Sequence, residues 1–310
     1  MNAVPSGPEG ILILDKPAGI TSHDCVSRIR RLYRTKKVGH AGTLDPMATG
    51  VLPILIGSAT RAADFLSSDE KRYEAVLRLG LETDTEDTTG TVLSRCDVLP
   101  EEETVRKTLR SFLGEQKQIP PMYSALKVGG EKLYDLARRG LTAEREPRTI
   151  TVHSLEAERI SPSEYRLTVH CSKGTYIRTL CADIGRALGC GGTMAALRRL
   201  SVGPYSADGA RTLEELETCP EQDRLRFLQP VETLFENCPV LMLSGFFLKL
   251  ADNGLPVRLY KLGEEERLSS ADLVRISDAE RGFFALGKIE TIPDEDGIPR
   301  VCARPIRRFV

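Results

Sequence analysis

The chain has 310 residues, enough for one large domain and a smaller second one. Its 41% hydrophobic and 28% charged content fits a globular protein, and a net charge of −1 argues against a surface coated in basic residues. No apolar run is long enough to span a membrane, and Met1-Asn2-Ala3-Val4-Pro5 lacks the regions of a signal peptide, so a cytoplasmic protein is expected. In chain order, Gly10-Ile11-Leu12-Ile13-Leu14-Asp15 is a continuous apolar run ending at Lys16-Pro17, which predicts a buried strand leaving into a turn. Thr21 or Ser22 can cap a helix in which Val26, Ile29 and Tyr33 share a face and most arginines point away. Next comes Gly39-His40-Ala41-Gly42-Thr43-Leu44-Asp45-Pro46-Met47-Ala48-Thr49-Gly50, which sets one carboxylate, Asp45, among turn formers. Gly39, Gly42 and Gly50 admit dihedrals other residues avoid, and Pro46 fixes the angle just after the acid. Taken alone, the segment is a Gly-rich turn whose Asp caps the next segment. So much constraint around one acid also suits a side chain that must be aimed.

Lys71 to Leu81 alternates, with Tyr73, Ala75, Leu77 and Leu79 on one face and Glu74 and Arg78 opposite, as in a half-buried strand. Tyr165-Arg166-Leu167-Thr168-Val169-His170-Cys171 alternates likewise. Ile177, Leu180, Cys181, Ile184 and Leu188 then mark a helix closed by Gly189. Thr175 is its natural cap, which puts Tyr176 and Arg178 in the first turn at a strand-to-helix junction. A cation there opposes the helix dipole and implies a compensating acid. Residues 116–148 read as an inserted arm, irregular from Gln116 to Tyr123, flexible at Gly129-Gly130 and basic at Arg138, Arg139, Arg145 and Arg148. Beyond 238 short apolar runs split by Asp252-Asn253-Gly254 and Asp294-Glu295-Asp296-Gly297 predict a small, mostly β domain over 239–310. The main domain is expected over 1–238.

Arg28, Arg30, Arg31, Arg34, Lys36 and Lys37 form one basic cluster, Arg198-Arg199 a second, and Arg304, Arg307 and Arg308 a third, while acids gather elsewhere. Segregation of this kind suits a grip on a polyanion, although a solvated helix face is as good a reading of any single cluster. The eight cysteines have no CxxC spacing and several fall on apolar positions, so reduced thiols are expected. The four histidines are not spaced for a shared metal, and no metal site is expected.

Four segments now carry a likeness. They are Asp15-Lys16-Pro17-Ala18-Gly19-Ile20-Thr21-Ser22, then Val38 through Pro53, then Lys71-Arg72-Tyr73 onward to Thr83-Asp84-Thr85-Glu86-Asp87. The fourth is Cys171-Ser172-Lys173-Gly174-Thr175-Tyr176-Ile177-Arg178-Thr179-Leu180 with Leu197-Arg198-Arg199-Leu200. In this order they resemble the bacterial TruB-type tRNA pseudouridine synthases, over most of residues 10–205. Ala41 departs from the pattern, standing where the family usually has threonine.

The resemblance implies an α+β pseudouridine-synthase fold, with a central mixed, largely antiparallel sheet flanked by helices and a PUA-like RNA-binding domain at the C-terminus. It implies isomerisation of uridine 55 in the tRNA T-loop, by base flipping and without a cofactor. Asp45 would be the nucleophile, Arg178 its partner, and Tyr73 a stacking platform whose phenol assists proton transfer. Tyr176 and Leu197 would line the pocket, His40 would fill the space left by the flipped base, Lys16 would support the site, and Asp87 would anchor Arg178 or another basic group. Read without the family, His40 is a turn histidine, Tyr73 a core tyrosine, and Asp87 a solvated acid in a loop whose spacing does not fit calcium. Two other functions remain open on sequence: an aspartate-dependent N-glycosylase and a tRNA-folding module without catalysis. Partners are expected to be tRNA and no membrane, and no feature demands more than a monomer.

Overall fold

The structure, a computed structural model, describes residues 7–67 and 70–309. The expectation resting on Met1–Pro5 therefore lies outside the described residues. In chain order the main body holds β1 (Gly10–Lys16), α1 (Ser22–Leu32), β2 (Val38–His40), β3 (Thr49–Ile56), α2 (Ala63–Ser67), β4 (Lys71–Leu79), β5 (Leu81–Thr83) and β6 (Val92–Arg95). It continues with α3 (Glu102–Arg110), β7 (Gly114–Gln118), β8 (Lys127–Val128), β9 (Glu131–Lys132), α4 (Leu133–Arg138), β10 (Arg148–Arg159) and β11 (Glu164–Cys171). The elements α5 (Ile177–Ala187), β12 (Gly192–Val202), β13 (Tyr205–Ser206) and α6 (Leu213–Thr218) complete it.

The main sheet runs β1-β3-β12-β4-β11-β10-β7, with β2 on β3 and β13 on β12. Every pairing is antiparallel except β3 with β12, where Thr49 and Gly50 meet Arg198 and Arg199. That short parallel contact carries the Asp45 loop to the middle of the sheet. It demands glycine: a Cβ on Gly50, whose φ is +99°, would lie 2.2 Å from the Arg199 carbonyl oxygen. Gly42 is likewise needed at φ +79°, against the Arg199 guanidinium, whereas a Cβ on Gly39 would meet only the Thr60 methyl at an ordinary 4.0 Å, on an ordinary backbone.

The expected strands and helices form, with instructive differences. Thr21 is the α1 cap and makes a reciprocal capping box with Asp24. The α5 cap is Tyr176 rather than Thr175 and makes no side-chain cap bond; the Thr175 hydroxyl instead donates to the Ser172 carbonyl. Gln116 to Gln118 are not irregular but belong to edge strand β7, paired with β10, so the arm begins after Gln118. One face of the sheet buries Leu12, Leu52, Leu77, Leu167 and Val169 beneath Cys25, Ile29, Ile177, Leu180 and Ile184 of the helices. The eight cysteines are all free.

The C-terminal part has its own five-stranded sheet, ordered β14 (Val240–Met242), β16 (Leu273–Asp278), β17 (Gly282–Pro293), β18 (Pro299–Arg308) and β15 (Val257–Arg258). Helices α7 (Gly245–Asp252) and α8 (Glu265–Leu268) close it over a separate core of Leu241, Val257, Leu268, Ile276 and Phe284. A small apolar seam of Ala62, Phe235, Leu286 and Phe309 joins the two parts. Among the described residues no helix is long and apolar enough to cross a membrane.

Candidate active site

The decisive contact is between Asp45 and Arg178. Arg178 Nε lies 2.9 Å from Asp45 Oδ2, and its Nη2 donates to Oδ1 at 3.2 Å. This is a two-point fork, the geometry in which a guanidinium both holds and orients a carboxylate. Arg178 is only 6% exposed, while the Asp45 side chain keeps 34% of its surface open. The pair therefore presents an acid toward solvent and hides its counter-ion. The remaining donors of Arg178 are committed: Nη1 to the Thr85 carbonyl at 3.1 Å and Nη2 also to the Tyr123 carbonyl at 2.8 Å. Burial pushes the Asp45 carboxyl above the usual aspartate range, Arg178 pulls it back, and Asp87 adds to the upward push.

Arg178 reaches this place because α5 starts shortly after the end of β11 and lays Ile177, Leu180, Cys181 and Ile184 on the sheet. The cation opposes the helix dipole, and the missing compensation comes from three acids of other segments. Asp45 is one; Asp87 Oδ2 is 3.8 Å from Arg178 Nη1. The third is Glu86, whose carboxylate accepts from the Thr179 hydroxyl at 2.5 Å. Asp87 is buried and immobilised, since its Oδ1 accepts from the Thr89 amide at 2.9 Å and from the hydroxyls of Thr85 and Thr89. The solvated-acid reading of Asp87 is thus replaced by a fixed charge next to Arg178.

Lys16 is fully buried at the end of β1, and its Nζ donates to the carbonyls of Pro17, Pro46 and Ala48 at 2.9, 3.1 and 2.7 Å. It ties down the backbone on the C-terminal side of Asp45, and burial lowers its pKa. Ser22 holds the other side, exchanging hydrogen bonds with the Leu44 amide and carbonyl at 2.9 and 3.0 Å. The acid is aimed by its neighbours' main chain.

Tyr73 on β4 faces Arg199 on β12 in register, and Leu197 faces Ala75, so these side chains share the core side of the sheet. Arg199 is 1% exposed; its Nε donates to the Val51 carbonyl at 2.7 Å and its Nη2 to the Gly42 carbonyl at 2.8 Å. Burial raises the Tyr73 phenol pKa and the adjacent Arg199 opposes that rise. His40 sits on β2 opposite Ile54, and its buried Nδ1 has no hydrogen-bond partner among the described residues. Burial first, and Arg199 second, lower the His40 pKa, which favours the neutral ring. Tyr176 lies two residues before Arg178, with its peptide held by Gln118 and its hydroxyl beside Ser124. Ala41 is buried in an apolar cluster with Ile11, Val51 and Leu55, so a methyl suits this position.

Sequence reasoning missed Arg199, which it placed in a polyanion-binding cluster; strand alternation with the opposing Tyr73 is the signal that would have turned it inward. It also missed Ser22 as a clamp, Glu86 and Gln118. The basic clusters themselves are largely engaged within the protein. Arg28 and Arg34 pair with Glu217 and Glu221 at 3.8 and 2.8 Å, and Arg198 forks Asp15 at 2.8 and 3.1 Å. Arg304, Arg307 and Arg308 face Glu290, Asp64 and Asp252. Arg31, Lys36 and Lys37 are exposed and form no ion pair among the described residues.

This arrangement has relatives among known proteins. A model of the TruB family pseudouridylate synthase N-terminal domain matches residues 30–177, and one of the tRNA pseudouridylate synthase B C-terminal domain matches 178–236. A tRNA pseudouridine synthase B of Dechloromonas aromatica is 48% identical over 252 residues, 81% of this chain and 84% of that protein. The chain belongs to the TruB family of pseudouridylate synthases. A tRNA pseudouridine synthase B of Burkholderia mallei is 43% identical over 280 residues, 90% of this chain and 93% of its own. The fold agrees: the crystal structure of a Cbf5-Nop10-Gar1 complex superposes with a TM-score of 0.70 at 27% identity, covering 98% of this chain and 85% of that one. The two TruB family segments meet between Ile177 and Arg178, so the Asp45–Arg178 fork bridges them.

Proposed function

We propose that this chain converts uridine 55 in the T-loop of tRNA to pseudouridine, with Asp45 as the nucleophile and no cofactor. The observation that carries the reading is the fork between Asp45 and a buried Arg178, on a loop whose backbone is clamped on both sides of the acid. An isomerisation needs nothing imported: the bond from N1 to the ribose breaks, one from C5 to the ribose forms, C5 loses a proton and N1 gains one. A carboxylate can form and release a bond to carbon during that exchange. Arg178 keeps it ionised against the desolvation that a bound base would add. The uridine must leave its stack, at a cost of a few kcal/mol. Tyr73, Tyr176 and Leu197 then supply flat and apolar walls for it, and the neutral ring of His40 is placed to occupy space in the loop that the base vacates.

Phosphate contacts fall to the exposed Arg31, Lys36 and Lys37, to the arm, and to the C-terminal sheet, which this reading takes as a PUA-like RNA-binding domain. Affinity for tRNA then falls steeply with salt, while turnover of bound tRNA does not. The test is to incubate the protein with unmodified tRNA and map pseudouridine chemically. Conversion confined to the T-loop at unchanged RNA mass is the expected result. Release of free uracil would mark a glycosylase, and conversion elsewhere in the RNA would displace the proposed target.

A further inference from the structure

Gln118 takes no part in the chemistry above, yet it is buried at the point where the arm leaves the sheet. Its side-chain amide makes two hydrogen bonds to a single residue: Nε2 donates to the Tyr176 carbonyl at 3.0 Å, and Oε1 accepts from the Tyr176 amide at 2.8 Å. An extended residue turns its N–H and C=O to the same side, and Tyr176, at φ −97° and ψ 110°, does so toward Gln118. The side chain thereby substitutes for one rung of a β-ladder. This is unusual company for a helix cap. Tyr176 precedes α5 and makes no side-chain cap bond of its own, so the side-chain hydrogen bonds that hold the main chain at this junction come from Gln118.

The arm makes a second contact to the same place. Beyond the end of β7, the Tyr123 carbonyl takes one of the two Nη2 hydrogen bonds of Arg178, and Ser124 lies beside the Tyr176 hydroxyl. The Ser124 carbonyl in turn accepts from the Tyr134 amide on α4 at 3.1 Å. Gln118 before the arm and Tyr123 within it therefore reach one junction, the first through the Tyr176 main chain and the second through the guanidinium that holds Asp45.

Resting on the pseudouridine synthase reading, we propose that Gln118 is a positioning residue: it fixes the main chain of Tyr176 so that Arg178, two residues on, meets Asp45 in a fork. A fork displaced by about 1 Å costs on the order of 10²-fold in rate. The Gln118 side chain hydrogen-bonds only the main chain of Tyr176 and makes no bond to Asp45, so its loss should fall on rate and leave tRNA affinity nearly unchanged.

The experiment measures single-turnover pseudouridine formation and tRNA affinity for the wild type, Gln118→Met and Gln118→Glu, with thermal melts of each. Methionine keeps the volume but neither hydrogen bond. Its rate is expected to fall about 10²-fold, with affinity within about 3-fold and a cooperative melt. The Gln118→Glu carboxylate can accept from the Tyr176 amide but repels the Tyr176 carbonyl. Protonated, it becomes a donor and acceptor like the amide. The charged and titratable groups around this contact include Arg148, its register partner on β10, Tyr176 itself, and Arg178 and Asp45 beyond Tyr176. The deficit of Gln118→Glu relative to wild type, taken at each pH, should therefore shrink as pH falls. Amide exchange at Tyr176 in the free protein, which needs no activity, should accelerate in Gln118→Met. Wild-type conversion of tRNA together with full-rate Gln118 variants overturns this proposal alone. So does a loss that follows affinity rather than rate, or a Gln118→Glu deficit independent of pH. A wild type that forms no pseudouridine overturns the reading beneath it.

Discussion

The surroundings of Asp45 and the β17–β18 hairpin are both dense in charge, but they use it in opposite ways. In the hairpin, Arg300 pairs with Asp294, Arg304 with Glu290 and Arg308 with Asp252, all with arginine side chains about one-third exposed or more. Solvent-screened pairs of that kind contribute little to stability. The core of Val274, Ile276, Phe284 and Ala303 beneath them is what holds the C-terminal sheet. Around Asp45, the side chains of Lys16, Asp87, Arg178 and Arg199 are buried, and each is bonded to main-chain groups or to another charge. A buried charge is retained at a cost of several kcal/mol unless it is so bonded. The lesson is that the cationic side chains which matter are those spent on carbonyls, and the visible basic clusters are mostly ordinary ion pairs.

The contrast is most sharply tested at Arg178. Arg178→Lys keeps a charge but loses the fork and the Thr85 and Tyr123 carbonyls, and should lower single-turnover pseudouridine formation by about 10³-fold. Its pH profile should move too. In the wild type the rate should fall on the acid side with an apparent pKa above the ordinary aspartate value of about 3.9, because burial outweighs the arginine. Asp45 must be ionised to act, so weakening its cation raises that limit further. A profile that stays in place in Arg178→Lys would detach the arginine from the acid.

Next in size is Tyr73→Phe, which removes a hydroxyl beside Arg199 and leaves the ring. A rate loss of about 10²-fold with unchanged tRNA affinity assigns the phenol to proton transfer. An unchanged rate leaves the ring as a stacking surface only. Lys16→Met tests scaffolding instead of chemistry. It strands three carbonyls around the Asp45 loop, and a loss of stability of about 2–4 kcal/mol should appear in denaturant melts. At the other end of the scale, Arg304→Ala should change stability by less than about 1 kcal/mol. If it matched Lys16→Met, the contrast between the two regions would fail.

Much of this was legible in the residues. The apolar run at 11–14, the alternation from Tyr73 to Leu79 and the stripe from Ile177 to Leu188 each became the element their period predicted. The unfavourable cation at the start of α5 announced its acid partner. What stayed hidden depended on pairing across long sequence gaps. Pro53 disguises β3, a strand inside the sheet, because its missing amide argues against one. Arg199 turns inward by plain alternation with Leu197, but that shows only once its strand is paired with β4 and Tyr73 stands opposite. Gln118 looks like any polar residue of a basic arm until β7 forms against β10 and aims it at Tyr176.

In the proposed reaction Asp45 is the attacking group, and the contacts around it serve to aim it. The direct measurement is single-turnover pseudouridine formation on T-loop tRNA by Asp45→Asn, with fold checked by its melt and tRNA affinity measured alongside. No detectable product, with the variant folded and still binding tRNA, is the predicted outcome. Product formed at within about 10-fold of the wild-type rate would show that another group does the work.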